Sequence, residues 1–299
     1  MKGKEKRIIN KEVAMRGFNE SRKFGVEIEF LHNIGRERII EALAEVGIVC
    51  KSEDYNHITK RHWKLVIDGS IHGNTTYSDE LVSPPLRGRE GLAELKKVMD
   101  VLNRIGAVNE TCSIHVHHDI HDYTGNDLFR VVWLYTVFED TFDSLFPKSR
   151  RKNNNYYCGS VRDKLNAVRF RKYYEQHKRK ERLSLYDVND VFDYDRYVKI
   201  NLKSIVDHGT LEFRQHAGSL EFEKVYNWIL LSQRIVEICK TSIHVKSGVE
   251  DSWNNLKYTL KMYKSFGADE ETVKMAKWWN KRRIALDKSL ETRGRRRSA

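Results

Sequence analysis

The chain has 299 residues, 40% hydrophobic and 32% charged, which is long enough for one large core or two modest ones and too apolar for a disordered chain. No apolar run approaches the ~20 residues that span a bilayer, Met1-Lys-Gly-Lys-Glu-Lys-Arg7 leads into no signal-peptide stretch, and Cys50, Cys112, Cys158 and Cys239 form no C-x-x-C pair, so a cytoplasmic protein without membrane partner, zinc knuckle or disulfide framework is expected. The net charge of +12 does not mark the whole chain as a nucleic-acid binder, because Lys148 to Arg182 carries +10 and Lys281 to Ala299 carries +6, leaving the rest at −4.

A basic leader fills residues 1–22, and the first strand is expected from Lys23 to Leu31. Arg36 to Val46 places Ile39, Ile40, Leu43, Ala44 and Val46 at helical spacing and stops at Gly47. Strands come next at Trp63 to Ile67 and around Glu80 to Val82, the second ended by Pro84-Pro85 because proline cannot continue a ladder. Gly88 to Ile105 reads as a helix, and Cys112 to His118 as a strand. Asp127 to Leu145 is the most apolar helix and should pack on the sheet. From Pro147 to Asp195 the pattern dissolves into Asn, Arg, Lys and Tyr, which is either a long functional loop or a short helical insertion. Order returns at Tyr197 to Leu202, with a turn at His208-Gly209 and a strand from Thr210 to His216. Helices are expected at Glu221 to Cys239, Asp251 to Tyr263 and Asp269 to Leu290. Strands joined by helices and hairpins, without regular βαβ units, predict an α+β fold: a mostly antiparallel sheet with helices on one face.

Three of these strands alternate in the same sense: Phe24-Gly-Val-Glu-Ile-Glu-Phe30, Cys112-Ser-Ile-His-Val-His-His118 and Thr210-Leu-Glu-Phe-Arg-Gln-His216. A period of two sends successive side chains to opposite faces. Glu27, Glu29, His115, His117, Glu212, Arg214 and His216 are thereby collected on one face, and Phe24, Val26, Ile28, Ile114, Val116, Leu211 and Phe213 on the other. A solvated face would carry Thr, Lys, Ser and Gln. Carboxylates, imidazoles and a guanidinium suit a metal-and-phosphate site instead.

Two carboxylates two residues apart on a strand suit ligation of neighbouring divalent cations. Arginine holds phosphate oxygens as a fork, while a neighbouring glutamate holds the metal that bridges them. A zinc hydrolase of the H-x-H-x-D-H type would need histidine right after Asp119. Ile120 stands there and His121 comes one step late, so that motif fails.

Together these segments resemble the putative amidoligase family, carboxylate–amine ligases with the catalytic fold of glutamine synthetase and glutamate–cysteine ligase. The resemblance is carried, in order, by Phe24-Gly-Val-Glu-Ile-Glu-Phe30, Asp68-Gly-Ser-Ile71, Glu80-Leu-Val-Ser-Pro-Pro-Leu86, Asn109-Glu-Thr-Cys-Ser-Ile-His-Val-His117, Ser149-Arg-Arg151 with Asn155-Tyr-Tyr-Cys158, and Gly209-Thr-Leu-Glu-Phe-Arg-Gln-His-Ala-Gly218. Ser113 stands where glycine is expected before the H-x-H pair. The resemblance implies a glutamine synthetase-like catalytic domain over residues 23–245 with a basic insertion near 148–195, then a helical extension over 246–290 and a basic tail over 291–299.

It also implies ATP-dependent joining of a carboxylate to an amine, on a small molecule or peptide, through an acyl phosphate. Glu29 and Glu80 would bind one Mg²⁺, and Glu27, His115 and Glu212 another, with Mn²⁺ as an alternative better suited to the imidazole. Arg214 would stabilise the phosphoryl group in transfer, with Glu212, His117 and His216 as its catalytic companions. Arg150, Arg151 and Asn155 would clamp a nucleotide phosphate or the acidic substrate, and Asp68, Asn109 and Ser83 would contact substrate.

Two other readings use the same residues. One is a nucleic-acid-binding protein whose basic insertion and tail hold phosphates; the other is a metal-dependent nuclease or hydrolase acting without ATP. Next to an acidic face, the insertion is expected to act as a lid that attracts ATP or an acidic substrate.

Overall fold

The computed structural model describes residues 17–54, 56–241 and 248–297, and these fall into two units that alternate along the chain. Most of the expected leader, residues 1–16, and the last two residues of the expected tail lie outside the described residues.

Residues 20–120 and 204–229 form the unit that holds the sheet. Its long strand β1 (Lys23–His32) has β4 (Tyr77–Val82), β3 (Trp63–Ile67) and β2 (Cys50–Ser52) outward on one side. On the other side lie β7 (Ser113–Asp119) and then β9 (Thr210–Ala217). Short strands β5 (Leu86–Arg87) and β6 (Gly106–Ala107) pair with the ends of β1, whereas β8 (Ile200–Asn201) belongs to the second unit. Every pair in this unit is antiparallel except β2–β3. The α+β class and mostly antiparallel sheet expected from the sequence are what the structure shows.

The register explains why the alternation is so clean. Val26 faces Val116, and Ile28 faces both Leu81 and Ile114; all of them are buried. A slip of one residue would turn this apolar set to the opposite face, so burial itself fixes the pairing. The helix Gly88–Ile105 buries Leu92, Leu95, Val98, Met99 and Leu102, and Trp228 of the helix Phe222–Lys240 meets Phe213 edge-on, ring centroids 6.0 Å apart. The turn into β9 requires Gly209, whose φ of +67° is costly for any residue with a Cβ.

Residues 1–19, 121–203 and 230–299 make up the second unit. The helix expected from Asp127 to Leu145 begins at a capping box of Thr124 and Asp127, and is broken at Phe138 into Gly125–Val137 and Glu139–Ser144. Glu139, the first residue past the break, is buried and accepts hydrogen bonds from Lys199 Nζ (2.6 Å) and the Val161 amide (2.8 Å).

The patternless stretch from Pro147 to Asp195 resolves as a helical insertion, with helices Val161–Lys164, Ala167–Lys178 and Leu185–Asn189. Its polar residues are largely caps: Ser160, Asn166 and Ser184 each accept from the amide three residues on. Part of its positive charge is neutralised locally. Arg162 pairs with Asp140 and Asp251 at 2.7 Å each, Lys164 with Asp195 at 2.7 Å, and Arg169 with Asp190 and Asp193.

The C-terminal helix Glu270–Arg297 joins the same unit, Trp279 meeting Phe146 at 5.6 Å. Residues 121–203 thus group with the helices C-terminal to residue 230. No helix among the described residues is long and apolar enough to cross a membrane.

Candidate metal and phosphate site

The face of the sheet opposite the core gathers its charged residues through cross-strand register. Glu29 faces Glu80, Glu27 faces His115, and His117 faces Glu212. Glu27 bridges two imidazoles, with one oxygen 2.9 Å from His115 Nδ1 and the other 3.3 Å from His117 Nε2. Glu212 lies 3.5 Å from His115 Nδ1 and accepts from Arg214 Nη1 at 2.5 Å. Glu29 has one oxygen 3.6 Å from His115 Nε2 and the other accepting the Ser113 amide at 2.7 Å. His117 Nδ1 is 3.0 Å from Thr210 Oγ1.

The donor atoms fall into three triads: Glu27, Glu80 and His115; Glu27, His117 and Glu212; and Glu29, Asp68 and Glu80. Within each, the ligand atoms lie within 4.8 Å of one another. Sharing Glu27 and Glu80, the triads form a connected row.

Residues 20–236 match the family described as putative amidoligase enzyme. The chain belongs to this family. The match takes in every residue of the three triads and carries a ligase-type function to the amidoligase chain. No curated protein matches it.

The electrostatics of the amidoligase site fit a bound cation. Burial, and then the charges of Glu27, Glu29 and Asp68, push the Glu80 carboxyl well above its usual pKa. Burial also opposes ionisation of Glu27, but the charge of His117 and the hydrogen bonds of both histidines outweigh it and hold its pKa well down. Glu212 likewise overcomes burial, chiefly through Arg214 and then His117, and is lowered. His117 is raised, because Glu27 and Glu212 outweigh its burial. A divalent cation among these oxygens would replace like-charge repulsion by attraction. The triad of Glu29, Asp68 and Glu80 offers only oxygen, which suits Mg²⁺; the two that include an imidazole tolerate Mn²⁺ better.

The structure therefore brings Glu27, Glu29, Glu80, His115, His117, Glu212 and Arg214 to one face, and adds Asp68 to the ligand sets. Other expected site residues lie elsewhere. His216 is turned away by a one-residue bulge: Val116 faces Phe213 but Ile114 faces His216, leaving Arg214 and Gln215 between them. The bulge reverses the alternation, so His216 shares the core face with Ile114, its ring 6.1 Å from Trp228. Ser83 is spent on the sheet, its Oγ accepting the Val26 amide at 2.9 Å. Asn109 ties a loop by donating to His72 O at 2.6 Å and accepting from the Thr111 amide at 2.9 Å.

The expected phosphate clamp lies in the second unit. Arg150 is buried there. Arg151 donates to Phe146 O at 2.8 Å and lies 3.6 Å from Asp287, while Asn155 caps the turn Tyr156–Cys158. Arg151 and Asn155 thus hold their own loop.

Three residues at the edge of the site escape sequence reading. Lys64 is buried on the site face of β3, its Nζ donating to Asn56 O (2.7 Å) and Ile58 O (3.2 Å), so it pins the loop that carries His57. His57 lies 6.4 Å from His208 between ring centroids, and His208 lies 6.1 Å from His117. Burial and the charge of His117 lower the pKa of His208.

Proposed function

We propose that this amidoligase joins a carboxylate to an amine at the expense of ATP. A carboxylate oxygen attacks the γ-phosphorus and ADP leaves; the amine nitrogen then attacks the acyl carbon and phosphate departs, giving an amide or isopeptide bond. The observation that supports this reading best is the connected row of three donor triads with Arg214 beside it, a layout suited to a polyphosphate.

Glu29, Asp68 and Glu80 would hold one Mg²⁺, and Glu27 with His115, His117 and Glu212 would hold further divalent cations. Bound there, the ions supply charge neutralisation along the triphosphate. Arg214, which donates to Glu212, would stabilise negative charge on the transferring phosphoryl group. His117, held between Glu27 and Thr210, orients the neighbouring ligands. ATP and Mg²⁺ as reactants fit a cytoplasmic setting, and the substrates are a small-molecule or peptide carboxylate and an amine.

The test is to supply the purified chain with ATP, Mg²⁺ and pools of amino acids and polyamines. ADP and phosphate should form only when a carboxylate and an amine are both present. AMP and pyrophosphate would indicate adenylation, and ATP-independent cleavage of phosphodiesters would indicate a metal-dependent hydrolase.

A further inference from the structure

Three tyrosines, Tyr156, Tyr157 and Tyr197, gather at the surface of the second unit, and a fourth, Tyr194, is exposed three residues before Tyr197. Tyr156 is 72% exposed, Tyr194 58% and Tyr157 38%, while Tyr197 is half-buried. The rings of Tyr156, Tyr157 and Tyr197 lie 5.3 Å apart in every pairing, and the Arg196 guanidinium stands 5.0 Å over Tyr197. Large apolar side chains left open to water in a cluster mark a contact surface more often than they mark chance.

The surface is also fixed. The Gly159 amide donates to Tyr197 O at 2.9 Å, and Lys164 holds Asp195 at 2.7 Å. Asp193, paired with Arg169, and Tyr194 both adopt positive φ, 52° and 60°. Two successive non-glycine residues persist in that state only where their surroundings hold them. Here the contacts hold Tyr194 outward.

In sequence, cations lie before and between these tyrosines. Lys148, Lys152, Arg171, Lys172, Lys178 and Lys180 are all exposed, and none of them makes an ion pair among the described residues. They stand in contrast to Arg162, Lys164 and Arg169, whose charges are matched by aspartates.

We infer that this surface binds single-stranded nucleic acid, with unpaired bases stacking on Tyr156, Tyr157 and Tyr194 while the unmatched cations meet phosphates. Exposed ring faces recognise bases whose own faces are open, which a duplex hides. An anionic membrane fits less well: the large apolar residues exposed between Pro147 and Asp195 are tyrosines and the single Val168, with none of the Leu, Ile or Phe that enters an acyl layer. The inference is independent of the ligase reading, because its evidence is binding and not turnover.

The experiment is anisotropy of a labelled oligothymidylate of about 20 nucleotides, titrated with the full chain over a range of salt. A duplex of equal length and phosphatidylserine vesicles serve as comparisons. The single strand should bind, with a log–log salt slope of about −0.7 per phosphate contacted. Tyr156→Ala and Tyr157→Ala should each weaken binding about 5- to 150-fold, as loss of one stacked base does, while Tyr156→Phe keeps it. Lys172→Gln should flatten the slope. Unchanged circular dichroism and melting verify that these exposed positions leave the fold intact. The inference is overturned if the single strand does not bind at about 50 mM salt, if the double variant Tyr156→Ala/Tyr157→Ala binds as well as the parent, or if duplex or vesicles bind equally tightly with the same tyrosine dependence.

Discussion

Glu29 stands directly opposite Glu80 across the β1–β4 pair, and both carboxylates are buried. Two acids paired this way, with Asp68 beside them, store repulsion that an oxygen-ligated cation would relieve.

Glu80→Gln tests this. Burial and its acidic neighbours raise the pKa of Glu80, and a carboxyl raised in the fold contributes stability below its unfolded pKa and loses it as pH rises through the folded value. At neutral pH without metal, Glu80→Gln should therefore stabilise the chain, on the order of 1 kcal/mol. The gain should fade toward acid pH. Mg²⁺ or Mn²⁺ should raise the melting temperature of the parent but much less that of the variant. Thermal melts in chelator and in metal read both effects.

The bulge in β9 separates two neighbours on the sequence. Arg214→Ala strands the buried Glu212 carboxylate and should lower the melting temperature, yet the protein that stays folded should still lose turnover by about 10²-fold or more, since a phosphate-stabilising group acts in the transition state. His216→Ala, at a buried position beside Trp228, should lower the melting temperature while the folded fraction keeps most of its turnover. Activity normalised to folded protein distinguishes them.

Much of the sheet and its charged face was legible in the chain. Glu27, Glu29, His115, His117 and Glu212 shared a parity on alternating strands, and the register preserved it. His216 was misplaced because one extra residue reverses parity, and nothing in Arg214-Gln-His216 announces a bulge. Lys64 was invisible because a lysine on an apolar strand reads as a solvated edge until register sets it beside Val82, next to Glu80. Ser83 and Asn109 carried the right polarity, but Ser83 binds the Val26 amide and Asn109 binds His72 and Thr111 within its own loop. From sequence the insertion reads as either a long loop or a short helical insertion because Ser160, Asn166 and Ser184 interrupt the apolar pattern where they cap helices.

In the second unit, Lys199 is fully buried and donates at 2.6 Å to both Glu139 and Asp143. Burial raises the Asp143 pKa even with Lys199 present. Lys199→Met would strand two buried carboxylates and should cost about 3–5 kcal/mol. Because a carboxyl raised in the fold is favoured when protonated, the deficit should shrink as pH falls. Melts of parent and variant between neutral and mildly acid pH measure it, and a deficit that grows on acidification would contradict the assignment.

Transfer of a phosphoryl group to a carboxylate is the central step of the proposed reaction, and the most direct test tracks the oxygen. Amino acids labelled with ¹⁸O in their carboxyl groups are supplied with ATP, Mg²⁺ and a polyamine pool, and the released phosphate is analysed by mass. Acyl-phosphate chemistry predicts phosphate carrying one labelled oxygen, formed alongside ADP and dependent on Arg214. Unlabelled phosphate, or label appearing in AMP, would contradict it.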